Sequence, residues 1–268
     1  MTQIDLTGRT ALVTGAARGL GAAIAARLAE LGAVVFIGDV AETEGQRAAE
    51  RIRAAGGDAR FIHLDVTDEL SWEAALFEAI EATDRFDILV NNAGAEVTSF
   101  IADLDVTALQ RLFEVNVGGV ALGMKHGFHA MRPLGPAGEG GVIVNMCSMA
   151  AQMATPCTGA YAASKAAVER LTKVGAVEAG KLGYGVRVNA VSPGFVPTAL
   201  SGGSAARAVE LGLFPDQAAF EAFLLENTPL GRLGAPSDVA EAVAFLCADA
   251  AGFVTGAALP VAGGMGVS

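Results

Sequence analysis

The sequence contains little cysteine, and its spacing does not suit a disulfide framework or a metal centre. The 268 residues include three cysteines, Cys147, Cys157 and Cys247, which are odd in number and lack the close spacing of metal ligands. No metal site is therefore predicted. Cysteine usage of this kind is typical of the reduced thiols of a cytoplasmic protein.

Positive charge is also scarce. The chain has 18 lysines and arginines against 29 aspartates and glutamates, which gives a formal net charge of -11, and it has no block of basic residues. Such a surface repels phosphate polymers and anionic lipid surfaces. Neither a nucleic acid nor a membrane partner is expected.

Long apolar runs are absent as well. No stretch approaches the roughly 18 uninterrupted apolar residues of a membrane-spanning helix. Residues 1–6 lack the basic start and the apolar core of an export signal. The expectation is a soluble protein that is not exported.

Short apolar runs are present instead, and alanine-rich amphipathic segments separate them. Strands buried on both faces are predicted at residues 10–13, 34–37, 60–64, 88–90, 142–146, 186–191 and 257–261. Helices are predicted at residues 20–31, 43–55, 70–82, 107–131, 160–180 and 236–247. This alternation indicates an α/β protein, a single-domain doubly wound (Rossmann) parallel sheet of about seven strands with helices on both faces. One domain is expected to span residues 1–268.

One segment breaks the alternation. Residues 199–228 are too apolar for an ordinary loop and include Phe214, Phe220 and Phe223. We predict that this stretch, called the lid segment below, covers a substrate. The alternative is that its apolar side chains, which have helical spacing, only pack against the body of the protein.

A glycine-rich loop follows the first predicted strand and opens the first helix. It contains Gly15, Gly19 and Gly21, with Arg18 and Leu20 between them. Glycines allow a tight turn and a close backbone approach to a pyrophosphate, and the free amides of a helix N-terminus attract the anion. The loop therefore predicts a dinucleotide site. A merely tight strand-to-helix turn is the alternative.

The second predicted strand is followed by Asp39. A carboxylate at this position is suited to accept hydrogen bonds from the adenosine ribose and to repel a 2′-phosphate, which favours NAD over NADP. Arg18 is the counter-evidence, because a cation in the glycine loop can pair with that phosphate.

Polar residues and small residues follow the third and fourth predicted strands. Asp65 and Val66 end the third, and Asn91, Asn92, Ala93 and Gly94 end the fourth. Both ends belong to the carboxyl edge, where open parallel sheets bind ligands. The predicted cofactor groove therefore includes Asp65, Val66, Asn92, Ala93 and Gly94. Each polar residue alone is also compatible with a turn-forming cap.

An acid/base pair is predicted in the helix over residues 160–180. Tyr161 and Lys165 are four residues apart, so a helix places the phenol and the ammonium on one face. Ser148 precedes them at the end of an apolar run, and its hydroxyl is suited to hold a carbonyl oxygen. For the pair alone, a core tyrosine and a solvated lysine are the simpler interpretation. The glycine loop and the polar strand ends favour catalysis.

Taken together, these residues resemble the short-chain dehydrogenase/reductase family over essentially the whole chain. The matching pieces are residues 14–21, Asp65, residues 91–94, Asn116 with the following Val-Gly, Ser148, Tyr161 with Lys165, and Pro193-Gly194 with Thr198. The resemblance implies a nicotinamide-dependent oxidoreductase that forms a homotetramer or a homodimer. Two positions depart from the family pattern, with Cys147 in place of a second serine and Ala262 in place of an aspartate.

The resemblance also implies roles for individual residues. Tyr161 exchanges a proton with a secondary alcohol or ketone, and Ser148 binds the substrate oxygen. Lys165 binds the nicotinamide ribose, and Asn116 anchors a water that links Lys165 to solvent. Pro193, Gly194, Val196 and Thr198 contact the nicotinamide, although Thr198 is also a natural cap for the following helix. Because a cation about 4 Å away favours a phenolate, Lys165 and the oxidised nicotinamide are expected to lower the pKa of Tyr161.

The candidate substrate pocket is mostly apolar. Ala95, residues 149–158, Phe195 and the lid segment contain no lysine or arginine before Arg207. A hydrophobic alcohol or ketone, which is cyclic, aromatic or steroid-like, is therefore favoured over a sugar or a hydroxy acid. Glu96 is interpreted either as a solvated carboxylate or as a partner for a second hydroxyl or an amine on the substrate.

Three other functions are considered. A 3-oxoacyl carrier-protein reductase would prefer NADPH and need a basic surface, which Asp39 and the net acidity oppose. A non-catalytic NAD-binding scaffold would be free to lose Ser148, Tyr161 or Lys165, and all three are present. A sugar-nucleotide epimerase would need a larger C-terminal substrate region.

Overall fold

Seven strands form one sheet in which every neighbouring pair runs parallel. They are β1 (Thr10–Thr14), β2 (Val34–Asp39), β3 (Asp58–His63), β4 (Ile88–Asn91), β5 (Gly141–Met146), β6 (Val186–Pro193) and β7 (Ala258–Val261). This computed structural model describes residues 4–266. Residues 1–3, on which part of the export-signal prediction rests, lie outside the described residues, as do residues 267–268 at the end of the predicted domain.

The strand order is β3-β2-β1-β4-β5-β6-β7. The strands β1, β2 and β3 follow one another toward one edge of the sheet, and β4 then lies on the other side of β1. The carboxyl ends of β1 and β4 therefore flank the point where the order reverses, which is where open α/β sheets bind ligands. The predicted fold class is confirmed.

Nine helices in the described part of the chain connect or follow the strands. They are α1 (Gly19–Glu30), α2 (Glu42–Ala54), α3 (Glu69–Thr83), α4 (Val106–Phe113), α5 (Gly119–Met131), α6 (Gly159–Lys181), α7 (Ala199–Glu210), α8 (Gln217–Glu226) and α9 (Pro236–Cys247). Side chains of α1, α2 and α9 pack on one face of the sheet, and those of α3, α5 and α6 pack on the other. None of the helices over residues 4–266 is long and apolar enough to cross a membrane.

The central strands are buried because helices cover both faces. Every residue of β1 and β4 is buried, as the continuous apolar runs of the sequence predict. This packing holds the backbone at the carboxyl ends of these strands in fixed positions, and the loops that follow them therefore start from a rigid support.

The helix predicted over residues 107–131 is interrupted. A π-helical turn over Glu114–Gly118 separates α4 from α5. Asn116 lies in this turn with its side chain fully buried, and the side chain hydrogen-bonds the backbone of Ala95 and the hydroxyl of Ser164. A wider turn inside a helix often marks a functional site. Asparagine is a poor helix former, and these bonds to groups outside the helix explain why the turn widens here.

The lid segment contains α7 and α8. Phe214 and Phe220 pack edge to face with ring centroids 5.1 Å apart, and Phe220 also packs on Phe195 at 5.5 Å. Phe223 completes the cluster against Phe214. The aromatic side chains therefore tie α8 and the turn before it to the loop that follows β6.

Candidate active site

Hydrogen bonds join the end of β4 to the glycine-rich loop. The Thr14 hydroxyl accepts the N–H groups of Asn92 and Ala93, each at 3.0 Å. The Asn92 side-chain amide donates to the carbonyls of Thr14 at 2.9 Å and Gly15 at 3.1 Å. The predicted residues Gly15, Asn92 and Ala93 are thus brought together, and Asn92 supports the loop rather than only capping a turn.

The glycines of this loop are required by its geometry. Gly15 has a φ of 63°, and a Cβ atom there would lie 2.7 Å from the Cα of Ala93. A Cβ atom on Gly21 would lie 2.4 Å from the carbonyl oxygen of Gly15 and 2.5 Å from the side-chain nitrogen (Nδ2) of Asn92. The loop is therefore a close-packed cradle of backbone at the N-terminus of α1.

Gly21→Ala is expected to lower the free energy of unfolding by about 2 kcal/mol or more, because overpacking and strain cost about 1–3 kcal/mol each. It is also expected to weaken NADH binding. Urea unfolding and NADH fluorescence titration measure the two effects. Gly180→Ala in α6 is the control, since nothing lies within 4 Å of its added Cβ atom. That variant should gain about 0.5–1 kcal/mol. Equal behaviour of the two variants would contradict the cradle.

Asp39 faces the glycine-rich loop from the end of β2. Its Oδ2 accepts the N–H of Ala17 and its Oδ1 accepts the N–H of Ala41, both at 3.0 Å. Each carboxylate oxygen has a second lone pair for a ligand hydroxyl. Arg18 is exposed, and it occupies the N-cap position of α1. The carboxylate therefore lies beside the loop, as the sequence predicts for a ribose-binding residue.

Asp65 and Val66 lie in a turn after β3. The Asp65 Oδ1 accepts both the hydroxyl of Thr67 at 2.7 Å and its N–H at 2.9 Å, and these bonds lower the pKa of Asp65 below its usual value. The Val66 carbonyl accepts the indole N–H of Trp72 at 3.0 Å. Asp65 therefore forms the turn-capping arrangement that was the alternative interpretation, and a role toward a cofactor stays a prediction.

The loop after β6 meets the glycine-rich loop. A Cβ atom on Gly19 would lie 4.0 Å from the methyl group of Thr198. Thr198 caps α7, since it forms a capping box with Ser201, whose hydroxyl also donates to the carbonyl of Val196 at 2.8 Å. Gly194 passes close to Ala262, since a Cβ atom added to Gly194 would lie 3.0 Å from the Cα of Ala262. Gly19, Gly194, Val196 and Thr198 therefore line one region.

The α6 helix brings Tyr161 and Lys165 together. The Lys165 Nζ lies 5.7 Å from the centre of the Tyr161 ring. The amine is buried and donates to the carbonyl of Met146, at the end of β5, at 2.8 Å. It also faces the β4 loop, because a Cβ atom on Gly94 would lie 3.7 Å from it. The pair is therefore at the carboxyl edge of the sheet and not on a remote face.

Ser148, after the end of β5, is the third residue of this group with Tyr161 and Lys165. Its hydroxyl oxygen accepts the N–H of Ala150 at 3.1 Å, which fixes the side chain at the start of a short helical turn. Its hydroxyl lies close enough to the Tyr161 phenol to favour the phenolate. The preceding Cys147, where the family pattern has serine, donates its thiol to the carbonyl of Lys165 at 3.2 Å. This cysteine therefore supports the helix that carries the lysine.

The prediction that Lys165 lowers the pKa of Tyr161 is wrong for the protein on its own. Burial raises the pKa of the Tyr161 phenol above its ordinary value, and the negative charge of Glu96 raises it further. Burial also lowers the pKa of Lys165 to about 8. Removal from water disfavours the charged form of each group, so the phenol stays protonated and the lysine is close to losing its charge at mildly alkaline pH.

Asn116 has a positioning role that sequence reasoning did not anticipate. Its side chain accepts the N–H of Ala95 at 2.8 Å and donates to the carbonyl of Ala95 at 3.0 Å. It also donates to the hydroxyl of Ser164 at 3.0 Å, and Ser164 in turn donates to the carbonyl of Tyr161 at 2.7 Å. Ser164, which was not among the predicted residues, connects Asn116 to the catalytic helix; its place next to Lys165 was the available signal.

These contacts define a class of protein. The described residues combine a dinucleotide cradle with a serine, a tyrosine and a lysine at the carboxyl edge of a parallel sheet, which is the arrangement of a nicotinamide-dependent oxidoreductase. A family model described as enoyl-(acyl carrier protein) reductase matches residues 15–266.

Comparison with known proteins supports the same class. The chain is 43% identical to cis-4-hydroxycyclohexanecarboxylate dehydrogenase of Sinomonas cyclohexanicum, over 96% of each chain. It is 38% identical to cyclopentanol dehydrogenase of Comamonas sp. (strain NCIMB 9872), again over 96% of each. A solved structure of 7α-hydroxysteroid dehydrogenase with NADH and 7-oxo glycochenodeoxycholic acid has a TM-score of 0.84 and 32% identity, over 97% of this chain and 95% of the other. The chain belongs to the short-chain dehydrogenase/reductase family and is an oxidoreductase.

Proposed function

We propose that the protein is an NAD-dependent dehydrogenase of hydrophobic cyclic secondary alcohols, and that it also reduces the corresponding ketones. The observation that carries this proposal is the placement of Ser148, Tyr161 and Lys165 beside the glycine-rich cradle. The relatives that act on cyclic alcohols and on a steroid support the substrate class.

The residues present fit a nicotinamide dinucleotide. Gly15 and Gly21 leave no room for side chains, Gly19 has a φ of 61°, and the loop presents the N-terminus of α1, which suits a pyrophosphate. Asp39 supplies carboxylate oxygens for ribose hydroxyls. Gly94, Pro193, Gly194, Val196 and Thr198 would surround the nicotinamide, with Lys165 at its ribose. When bound, the oxidised cofactor supplies a hydride acceptor and a positive charge.

The protein side chains then handle the substrate oxygen and its proton. Ser148 donates a hydrogen bond to the oxygen and orients the alcohol. Tyr161 accepts the hydroxyl proton during oxidation and returns it during reduction. Lys165, held by the Met146 carbonyl, places a positive charge beside the phenol. Lys165 is buried and Ser148 and Tyr161 are half-buried, and limited access of water strengthens the electrostatic contacts between them.

Cofactor preference is proposed to depend on the charge of Asp39. The variant Asp39→Asn keeps the size of the side chain but removes the charge that binds ribose hydroxyls and repels a phosphate. Because hydrogen bonds to charged groups contribute about 1.5–3 kcal/mol, the ratio of kcat/KM for NAD over NADP should fall by about ten- to a hundredfold. Steady-state kinetics with both cofactors measures this ratio.

The matched control for Asp39→Asn is Glu42→Gln, which removes an equal charge from the first turn of α2. The control should keep the wild-type ratio. An unchanged ratio in Asp39→Asn, or an equal fall in both variants, would contradict the role of Asp39.

The family model's description raises a second function, reduction of an acyl chain on a carrier protein. The net charge of -11 disfavours docking of an acidic carrier. Reduction of crotonyl or acetoacetyl thioesters with NADPH, at rates above those for cyclic ketones, would favour this function. Binding of NADH without turnover on any ketone would favour the scaffold interpretation.

A homo-oligomer in the cytoplasm is proposed as the working form. Val174 and Val177 expose apolar side chains on α6, and Phe253 is fully exposed after α9. Exposed apolar side chains of this size favour burial against another copy of the chain. The three cysteines are free thiols, which fits a reducing compartment.

A further inference from the structure

Glu96 is a carboxylate beside the catalytic pair that the proposed chemistry does not use. It lies in the loop after β4, and this loop is fixed on both sides of it. Asn116 holds the N–H and the carbonyl of Ala95, at 2.8 and 3.0 Å. The N–H of Ser99 donates to the carbonyl of Cys157 at 2.9 Å. The backbone that carries Glu96 is therefore attached both to the π-helical turn and to the segment before α6.

The side chain of Glu96 faces groups from three parts of the fold. Its charge acts on Tyr161 and Lys165 of α6 and on Cys157 before α6, and the nearby Ser204 hydroxyl of α7 favours its charged form. Burial raises the pKa of Glu96 above its usual value. The carboxylate is therefore half-buried between the catalytic helix and the lid segment, on the side where a substrate must approach the phenol.

The protein gives this carboxylate little compensation. Within residues 4–266, the positive charge that acts on it belongs to Lys165, and this amine already donates to the Met146 carbonyl. The nearby Ser204 hydroxyl offers one donor, whereas a carboxylate has about four acceptor positions. A half-buried carboxylate with free acceptor positions is therefore open to a further donor from a bound molecule.

We propose that Glu96 determines substrate specificity by accepting a hydrogen bond from a second hydroxyl on the ring of the substrate, so that the preferred substrates are cyclic diols or hydroxyketones. This inference rests on the proposed function. A hydroxyl suits the site better than an amine, because an ammonium group would also meet the charge of Lys165. A carboxylate substituent is rejected, because it would face the negative charge of Glu96, and the Lys165 amine nearby already donates to the Met146 carbonyl.

The test compares three substrates with NAD, which are cyclohexanol, cyclohexane-1,4-diol and 4-hydroxycyclohexanecarboxylate. The wild type should have a higher kcat/KM for the diol than for cyclohexanol. In Glu96→Gln, the ratio of diol to cyclohexanol should fall about tenfold, the effect of replacing a charged acceptor by a neutral one. The carboxylate substrate should improve relative to cyclohexanol, because the repulsion is gone.

The pH profile gives an independent measurement. Because the charge of Glu96 opposes loss of the Tyr161 proton, the rise of kcat with pH in Glu96→Gln should move to lower pH for every substrate. Glu210→Gln, an exposed glutamate at the end of α7 that pairs with Arg207, removes the same charge without contacting the site. It should retain the wild-type ratios and pH profile.

Glu96→Ser, which removes the carboxylate with a smaller side chain, should show the same fall in the diol ratio if Glu96→Gln is unstable. A wild type that oxidises cyclohexanol as well as the diol, or a variant with an unchanged ratio, overturns the role of Glu96 and leaves the proposed function intact. An equal loss on all substrates also overturns it. Failure of the wild type to oxidise any of them overturns both.

Discussion

Tyr161→Phe is expected to lower kcat for cyclic alcohols about a thousandfold, while folding and NADH binding are retained. The variant removes only the hydroxyl that exchanges the proton, and general acid–base catalysis contributes about 10²–10⁴-fold. The ring, which packs near the Lys165 amine, is kept. Initial rates of NADH formation, thermal unfolding and NADH fluorescence titration measure the three properties.

Tyr184→Phe is the matched control, because Tyr184 is the second of the two tyrosines and packs its ring on Phe128, with centroids 5.6 Å apart. It should keep the wild-type rate. If Tyr161→Phe retains more than about a tenth of the wild-type kcat, Tyr161 is not the proton-transfer group.

Lys165→Met is expected to lower kcat about a hundredfold or more, since it removes the positive charge beside the phenol. Two effects combine here, because the phenolate becomes harder to form and the nicotinamide ribose loses a proposed partner. At about 1.4 kcal/mol for each factor of ten, a hundredfold loss corresponds to about 3 kcal/mol of lost transition-state stabilisation. Steady-state rates across pH measure it.

The same variant has a characteristic effect on stability. The pKa of Lys165 is about 8 in the folded protein and 10.5 in the unfolded chain. Between these values the unfolded chain binds more protons, so the stability of the wild type rises with pH relative to the variant. The difference in unfolding free energy should move by about 2 kcal/mol in favour of the wild type between pH 8 and pH 10. Below pH 8 it should be nearly constant.

Urea unfolding at several pH values measures this difference. Lys181→Met, at the exposed end of α6, is the control and should show no such trend. A flat difference for Lys165→Met, or one that moves in favour of the variant as pH rises, would contradict the burial of a lysine with a lowered pKa.

The features that the sequence predicts well are those set by neighbours in the chain. The apolar runs predict the strands, since a strand covered on both faces needs no polar residue. The glycine-rich loop is predicted because its glycines follow one another between a strand and a helix, although the contacts with Asn92 and Ala93 that require them are not visible in the local sequence. Tyr161 and Lys165 are one helical turn apart whatever surrounds them.

The features that it predicts poorly depend on residues far apart in the chain. The pKa of Tyr161 is raised by burial and by Glu96, which lies 65 positions earlier, and no local pattern reports either. The π-helical turn is formed because Asn116 bonds to Ala95 and Ser164, on two other segments. Contacts of this kind follow from the packing of the sheet and its helices.

The most direct test of the account is NADH formation from cyclohexanol and NAD by the wild type, measured across pH beside Tyr161→Phe. The account predicts that the wild-type rate rises with pH, because Tyr161 must lose its proton, and that the variant shows almost no rate at any pH. Binding of NAD without oxidation of any cyclic alcohol, or equal rates in the two proteins, would contradict it.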